Sequence, residues 1–149
     1  MEFFKVQLSD TFKSMKQQGL VDDQFTFVYS LKKNVEDNFY IEVIPEFCCE
    51  VRDGLKFLTQ TMNDQTLNYK LMKEYVYKVK GSSSSFGACR LAKALTDFER
   101  TIDAASKEEC SKALKQVQRE FSALEEKLHI CLKLERSLVL KAIEGMANM

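Results

Sequence analysis

Four apolar seams, each advancing in steps of three and four residues, constrain this chain more than any other feature of it. One runs through Ile44, Cys48, Val51, Leu55, Leu58 and Met62, and a second through Met72, Val76, Val79, Ser83 and Phe86. A third joins Ala88, Leu91, Leu95, Phe98 and Ile102, and the fourth joins Cys110, Leu114, Val117, Phe121, Leu124, Leu128 and Cys131. Steps of three and four keep apolar side chains on one face of a helix. Four such faces in a short chain predict an all-α fold, an antiparallel four-helix bundle. The chain has five glycines and one proline, too little punctuation for a protein built from hairpins. With 149 residues it is long enough to bury a proper core, and 1–149 reads as a single domain.

Local signals place the helix ends. Ser106-Lys107-Glu108-Glu109 reads as a capping box, in which the Ser hydroxyl and the Glu109 carboxylate each satisfy a free backbone N–H. The helix it opens is predicted over about 107 to 143, roughly 55 Å long at 1.5 Å per residue. Asn68 or Asp64 is the expected cap of the helix that carries Tyr77. Two further helices precede the bundle. Phe4, Leu8, Phe12 and Met15 form one face before Gly19, and a second segment over about 22 to 34 opens on Asp22 and Asp23, where acidic groups suit the helix dipole. Pro45 falls inside the third helix if that helix starts near Asn38, which predicts a kink or a distorted first turn.

Charge and cysteine usage narrow the functional classes. Lys+Arg and Asp+Glu are 22 each, so composition carries no basic excess pointing to nucleic acid. Five cysteines and a single histidine form no C-x-x-C pair, and no metal site or cofactor is expected. The cysteines read as free thiols acting as small core residues, three of them on seams, in a reducing compartment. The N-terminus shows no signal-peptide pattern and no apolar run approaches the roughly 20 residues that span a bilayer, so an intracellular monomer without membrane contact is expected.

The chemistry-bearing segment is Tyr75-Val76-Tyr77-Lys78-Val79-Lys80-Gly81-Ser82-Ser83-Ser84-Ser85-Phe86-Gly87-Ala88. On a helix, Lys80, Gly81 and Ser84 share the face of Tyr77. Gly81 costs about 1 kcal/mol in a helix interior and so calls for a reason. A missing side chain one turn from Tyr77 lets a partner approach closely. Ser82, Ser83 and Ser85 are expected to turn toward the bundle, where small side chains allow close packing. A flexible serine linker is the alternative for that run.

This segment resembles the phosphoacceptor segment of the plant histidine-containing phosphotransfer proteins, which reads His-Gln-Leu-Lys-Gly-Ser-Ser-Ser-Ser. Further stretches are similar to the same family: Val21-Asp22-Asp23-Gln24-Phe25, Asn38-Phe39-Tyr40-Ile41-Glu42-Val43-Ile44 and Leu132-Lys133-Leu134-Glu135. The resemblance covers nearly the whole chain. It implies a four-helix bundle preceded by two short helices. It also implies a place between membrane sensor kinases and nuclear response regulators, notably in cytokinin signalling, hence in both cytoplasm and nucleus. The implied partners are receiver domains, which carry phosphate on an aspartate in a metal-bearing pocket. The implied docking residues are Tyr77, Lys80, Gly81, Ser84, Lys78 and Lys73, the lysines facing phosphate or the acidic receiver pocket.

The departures bear on the chemistry. Tyr77 stands where the family has its acceptor His, Lys78 where it has Gln, and Tyr75 where it often has another His. A phenol ionises near pH 10, whereas imidazole titrates near 6.5 and offers a neutral nucleophilic nitrogen. Phosphohistidine passes its phosphoryl group onward; phosphotyrosine is a stable ester. The expected function is therefore that of a non-catalytic pseudo-carrier that competes for receiver domains. Two alternatives stand beside it: an active carrier with another acceptor, and a helical bundle with an unrelated interaction role. His129 is the sole histidine, but Lys133 occupies its i+4 position, so it reads as a surface or seam-edge residue. Asp22 and Asp23 read as capping groups rather than an acid–base pair, and the three lysines also admit a reading as a solvated face.

Overall fold

The computed structural model describes residues 1–64, 67–104 and 106–148, and the account below concerns these. They form six helices: α1 (Glu2–Gln17), α2 (Asp23–Tyr29), α3 (Phe39–Met62), α4 (Tyr69–Phe86), α5 (Cys89–Ala104) and α6 (Lys107–Ala147). None is long and apolar enough to cross a membrane.

Helices α3 to α6 form an up-down-up-down ring. Antiparallel pairing is read from the cross-contacts. On α3 and α4, Phe47 stacks on Phe86 at 4.2 Å, Ser82 donates to Glu50 at 2.6 Å, and Phe57 stacks on Tyr75 at 3.8 Å. On α3 and α6, Arg52 pairs with Glu125 and Thr59 with Gln118. Lys80–Glu99 and Lys73–Asp103 order α4 against α5, and Arg90–Glu120 orders α5 against α6. Every member of the four predicted seams is buried, from Ile44 on α3 to Cys131 on α6. Removing such surface from water is the main favourable term in folding.

The cap oxygens follow the expected chemistry, but of the capping box at Ser106 only the hydroxyl half forms among the described residues, with no return bond to the Glu109 carboxylate. The Asn68 side chain accepts from Leu71 N–H at 3.1 Å, Asp22 from Gln24 N–H at 3.0 Å, and the Ser106 hydroxyl from Glu109 N–H at 3.3 Å. Helix α6 runs four residues beyond the predicted end, to Ala147, with Leu138, Val139 and Ala142 buried on its last turns. The helix around Pro45 starts at Phe39 and continues unbroken through it.

Helix α2 is shorter than the predicted 22–34. It ends at Tyr29, and the following segment continues as turns that side chains pin in place. Lys32 Nζ donates to Glu135 Oε1 on α6 at 2.7 Å and to the Val35 carbonyl at 3.1 Å. Asp37 accepts from the N–H groups of Lys33 and Phe39, both at 2.9 Å. A buried ammonium and a set of Asp turns thus outcompete the last helical turns.

The N-terminal helices attach through aromatic side chains. Phe25 on α2 meets Phe12 on α1 edge-on at 5.2 Å and Phe86 on α4 at 5.5 Å, and Tyr29 meets Tyr40 at 4.9 Å. Edge-to-face geometry suits the ring quadrupoles. Burial, then the Glu135 carboxylate, pushes the Tyr29 phenol well above its ordinary 10.

The cysteine expectation holds for three residues and fails for two. Cys48, Cys110 and Cys131 are buried, whereas Cys49 is exposed and Cys89 half-buried, because neither lies on a seam. All five are free thiols.

Candidate phosphotransfer face

The segment Gly81 to Ser85 is helix within α4, and its serines explain how. Ser83 is fully buried, and its hydroxyl donates back to the Val79 carbonyl at 2.8 Å, so no polar atom is stranded in the core. Ser82 is half-buried against Glu50. Ser84 and Ser85 are exposed, so Ser85 does not turn inward as expected; the buried stripe of this helix passes through Val79, Ser83 and Phe86.

The helix ends at Gly87, whose φ of +86° is left-handed and which donates to the Ser84 carbonyl at 3.2 Å. Its own carbonyl accepts from Asp22 N–H at 3.0 Å, and Gln24 Nε2 donates to the Ser85 carbonyl at 3.1 Å. The cap of α2 is thereby tied to the last turn of α4. The Asp22-Asp23-Gln24-Phe25 stretch and the glycine-serine stretch, far apart in sequence, meet at one corner.

Tyr77 projects from the middle of α4 and is 74% exposed. A Cβ built on Gly81 would meet nothing within 4 Å, so the space one turn from Tyr77 is open to a partner. Lys78 and Ser84 are exposed on the same stretch. The other two lysines are engaged sideways. Lys73 pairs with Asp103 and Lys80 with Glu99 at 3.8 Å, both carboxylates lying on α5. A partly exposed pair of this kind contributes about 0–1 kcal/mol, so an incoming anion competes for it readily. Lys78 has no ion pair among the described residues, which makes it the unengaged cation beside Tyr77. Tyr75 has a packing role, its ring lying flat on Phe57 at an interplanar angle of 15°. His129 is exposed on α6.

Beside Tyr77 lies a groove of about 540 Å³ between α2, α3 and α4. Its apolar lining comes from Val28, Val43, Phe47 and Phe86, and Glu46 and Glu50 stand on its α3 side. Sequence reasoning found the α4 rim and missed the α2 and α3 walls.

Comparison with known proteins places this geometry. The chain is 32% identical over 136 residues to histidine-containing phosphotransfer protein 2 of Arabidopsis thaliana, with 89% of this chain and 86% of that protein covered. It is also 28% identical over 130 residues to pseudo histidine-containing phosphotransfer protein 6 of the same plant, covering 87% of this chain and 84% of that one. The crystal structure of a histidine-containing phosphotransfer protein from maize superposes with a TM-score of 0.83 at 28% identity, over 90% of this chain and 98% of that chain. No family model matches. The chain belongs to the plant histidine-containing phosphotransfer family.

Proposed function

We propose that the chain is a phosphotransfer pseudo-carrier. It binds receiver domains of sensor histidine kinases and response regulators through the α4 face and carries no phosphoryl group between them. The observation that supports this is Tyr77: a phenol, 74% exposed, at the place of the family's acceptor imidazole, beside a glycine with open space above it. The scaffold for docking is present and the relay nucleophile is replaced. A protein of this kind is no enzyme, since even the true carriers are substrates of the transfer rather than catalysts. By occupying receivers it competes with the carriers and dampens the relay. We place it in the cytokinin pathway, as a monomer of one domain in cytoplasm and nucleus.

The experiment is a binding and transfer assay with purified receiver domains. Wild-type protein binds receivers by calorimetry, and with sensor kinase, receiver and labelled ATP it acquires no transferable phosphate. Gly81→Arg abolishes binding by filling the open space while the protein remains folded. Acid-labile, alkali-stable phosphate on the wild-type chain would instead establish the alternative acceptor, with His129 the residue to replace. Absence of binding to any receiver would leave only an unrelated interaction role.

A further inference from the structure

The groove beside Tyr77 is asymmetric in charge. Along α3, Glu42, Glu46, Glu50 and Asp53 recur at steps of four, four and three, which puts them along one side of the helix. None of the four is in an ion pair among the described residues. The one basic residue of α3 between positions 42 and 53, Arg52, is held by Glu125 on α6. Glu50 accepts from the Ser82 hydroxyl at 2.6 Å, which leaves its charge uncompensated. Glu46 is exposed at the groove margin with no partner at all among the described residues. Lys78 of α4 lines the same groove, as do the apolar Val43 and Phe47 of α3.

We infer that this groove selects among receiver domains, taking those whose contact segment carries an apolar side chain flanked by Lys or Arg on the α3 side. The inference rests on the receiver-binding reading and adds the chemistry of the partner. An apolar floor with a carboxylate wall specifies an amphipathic occupant. Desolvated apolar contact at the centre holds it, and the charged rim decides which occupant is accepted. The groove is continuous with the open face over Gly81, which lines it together with Val28 of α2. Like charge on a wrong partner is penalised at the same rim, so Glu46 discriminates by repulsion as well as attraction.

The test measures dissociation constants of the full chain against receiver domains whose contact segments differ in charge. The proteins compared are wild type, Glu46→Gln, Glu46→Lys, Val43→Thr and Gly81→Arg, each checked for folding by circular dichroism. Glu46→Lys weakens binding to basic-flanked receivers about tenfold at low salt, tightens binding to acidic-flanked ones, and reverses the sign of the salt dependence. Glu46→Gln falls between, and Val43→Thr weakens basic-flanked receivers about threefold without altering the salt dependence. Replacing the receiver's own Lys or Arg by Glu restores affinity for Glu46→Lys.

Unchanged affinity and salt dependence in Glu46→Lys, with binding still abolished by Gly81→Arg, would overturn the selection and leave receiver binding standing. No receiver binding by wild type overturns both. A mass doubling in sedimentation that Glu46→Lys removes would assign the groove to a second copy of the chain and also overturn the inference.

Discussion

Val79 Cγ2 on α4 stands 2.5 Å from the position a Cβ would take on Gly54 of α3. The Val79 side chain occupies the space a side chain on residue 54 would need, and Val79 lies two residues from Tyr77. Gly54 is thus a spacer that sets how α4 sits on the bundle. Gly54→Ala gains about 1 kcal/mol of helix propensity but forces a methyl into a buried valine. Overpacking of this kind costs about 1–3 kcal/mol, so the substitution is expected to destabilise by up to about 2 kcal/mol. Urea unfolding checks this, and Gly54→Ala combined with Val79→Ala should lose less than the sum of the two single changes.

Gly87→Ala should be far more damaging. Residue 87 needs a left-handed backbone, and a Cβ there would run into the backbone nitrogen of Phe25. Strain and collision together are expected to cost about 3 kcal/mol or more, and to detach α2 from α4. Amide exchange of α2 should rise well above that of the bundle helices in this variant.

Lys32 and Glu135 form a pair buried on both sides, with side chains 7% and 1% exposed. Tyr29 adds a hydrogen bond to the same Glu135 oxygen at 3.3 Å, while Glu135 Oε2 and the Tyr40 hydroxyl are buried without a partner among the described residues. Removing the lysine strands a carboxylate in the core. Lys32→Met is expected to cost about 3–5 kcal/mol, and Lys32→Met with Glu135→Leu to recover much of it. Thermal denaturation of the two variants decides this.

Two thiols make stability sensitive to alkali. Burial pushes the Cys48 thiol up to about 11 and the Cys131 thiol up to about 12, against an ordinary 9.0. The unfolded thiols lose their protons first as pH rises, so unfolding releases protons above pH 9. The stabilising effect is complete below pH 9 and is lost progressively toward pH 11–12. Urea midpoints should be flat in this respect from pH 7 to 8.5 and fall above 9. The fall should be shallower between pH 9 and 10 in Cys48→Ala/Cys131→Ala, with buried Tyr29 and Tyr40 contributing above pH 10. Thiol reagents at pH 8 should label exposed Cys49 before either.

Tyr77→His should return phosphoacceptance, because Gly81 still leaves open space and Lys80 remains one turn along the helix. Labelled phosphate transferred from a receiver to the variant is the readout. Recovery should be partial, about tenfold or more below a true carrier, since Lys78 stands where the family has Gln and places a cation next to the receiver's metal-bearing pocket. Tyr77→His with Lys78→Gln should recover more. A folded, receiver-bound double variant that takes no phosphate would mean the face differs by more than these two residues.

Periodicity by itself determined the helical architecture. Alternating threes and fours at Ile44–Met62 and Cys110–Cys131 admit only one apolar face per helix, and four faces close only on one another. The resemblance around Tyr77 to Ser85 likewise pointed to the family, because a motif is local and its residues are contiguous. What spacing cannot carry is the lateral partner of each side chain. Lys80 shares a face with Tyr77 by register, yet its ammonium lies toward Glu99, a choice made by the neighbouring helix. The early end of α2 depended on Lys32 finding Glu135 across 103 residues. The groove beside Tyr77 has walls from three helices, so its apolar floor and one-sided charge exist only once α2, α3 and α4 are packed. Local patterns encode which face of a helix is buried; only tertiary packing decides which charges are spent inside the molecule and which remain for a partner.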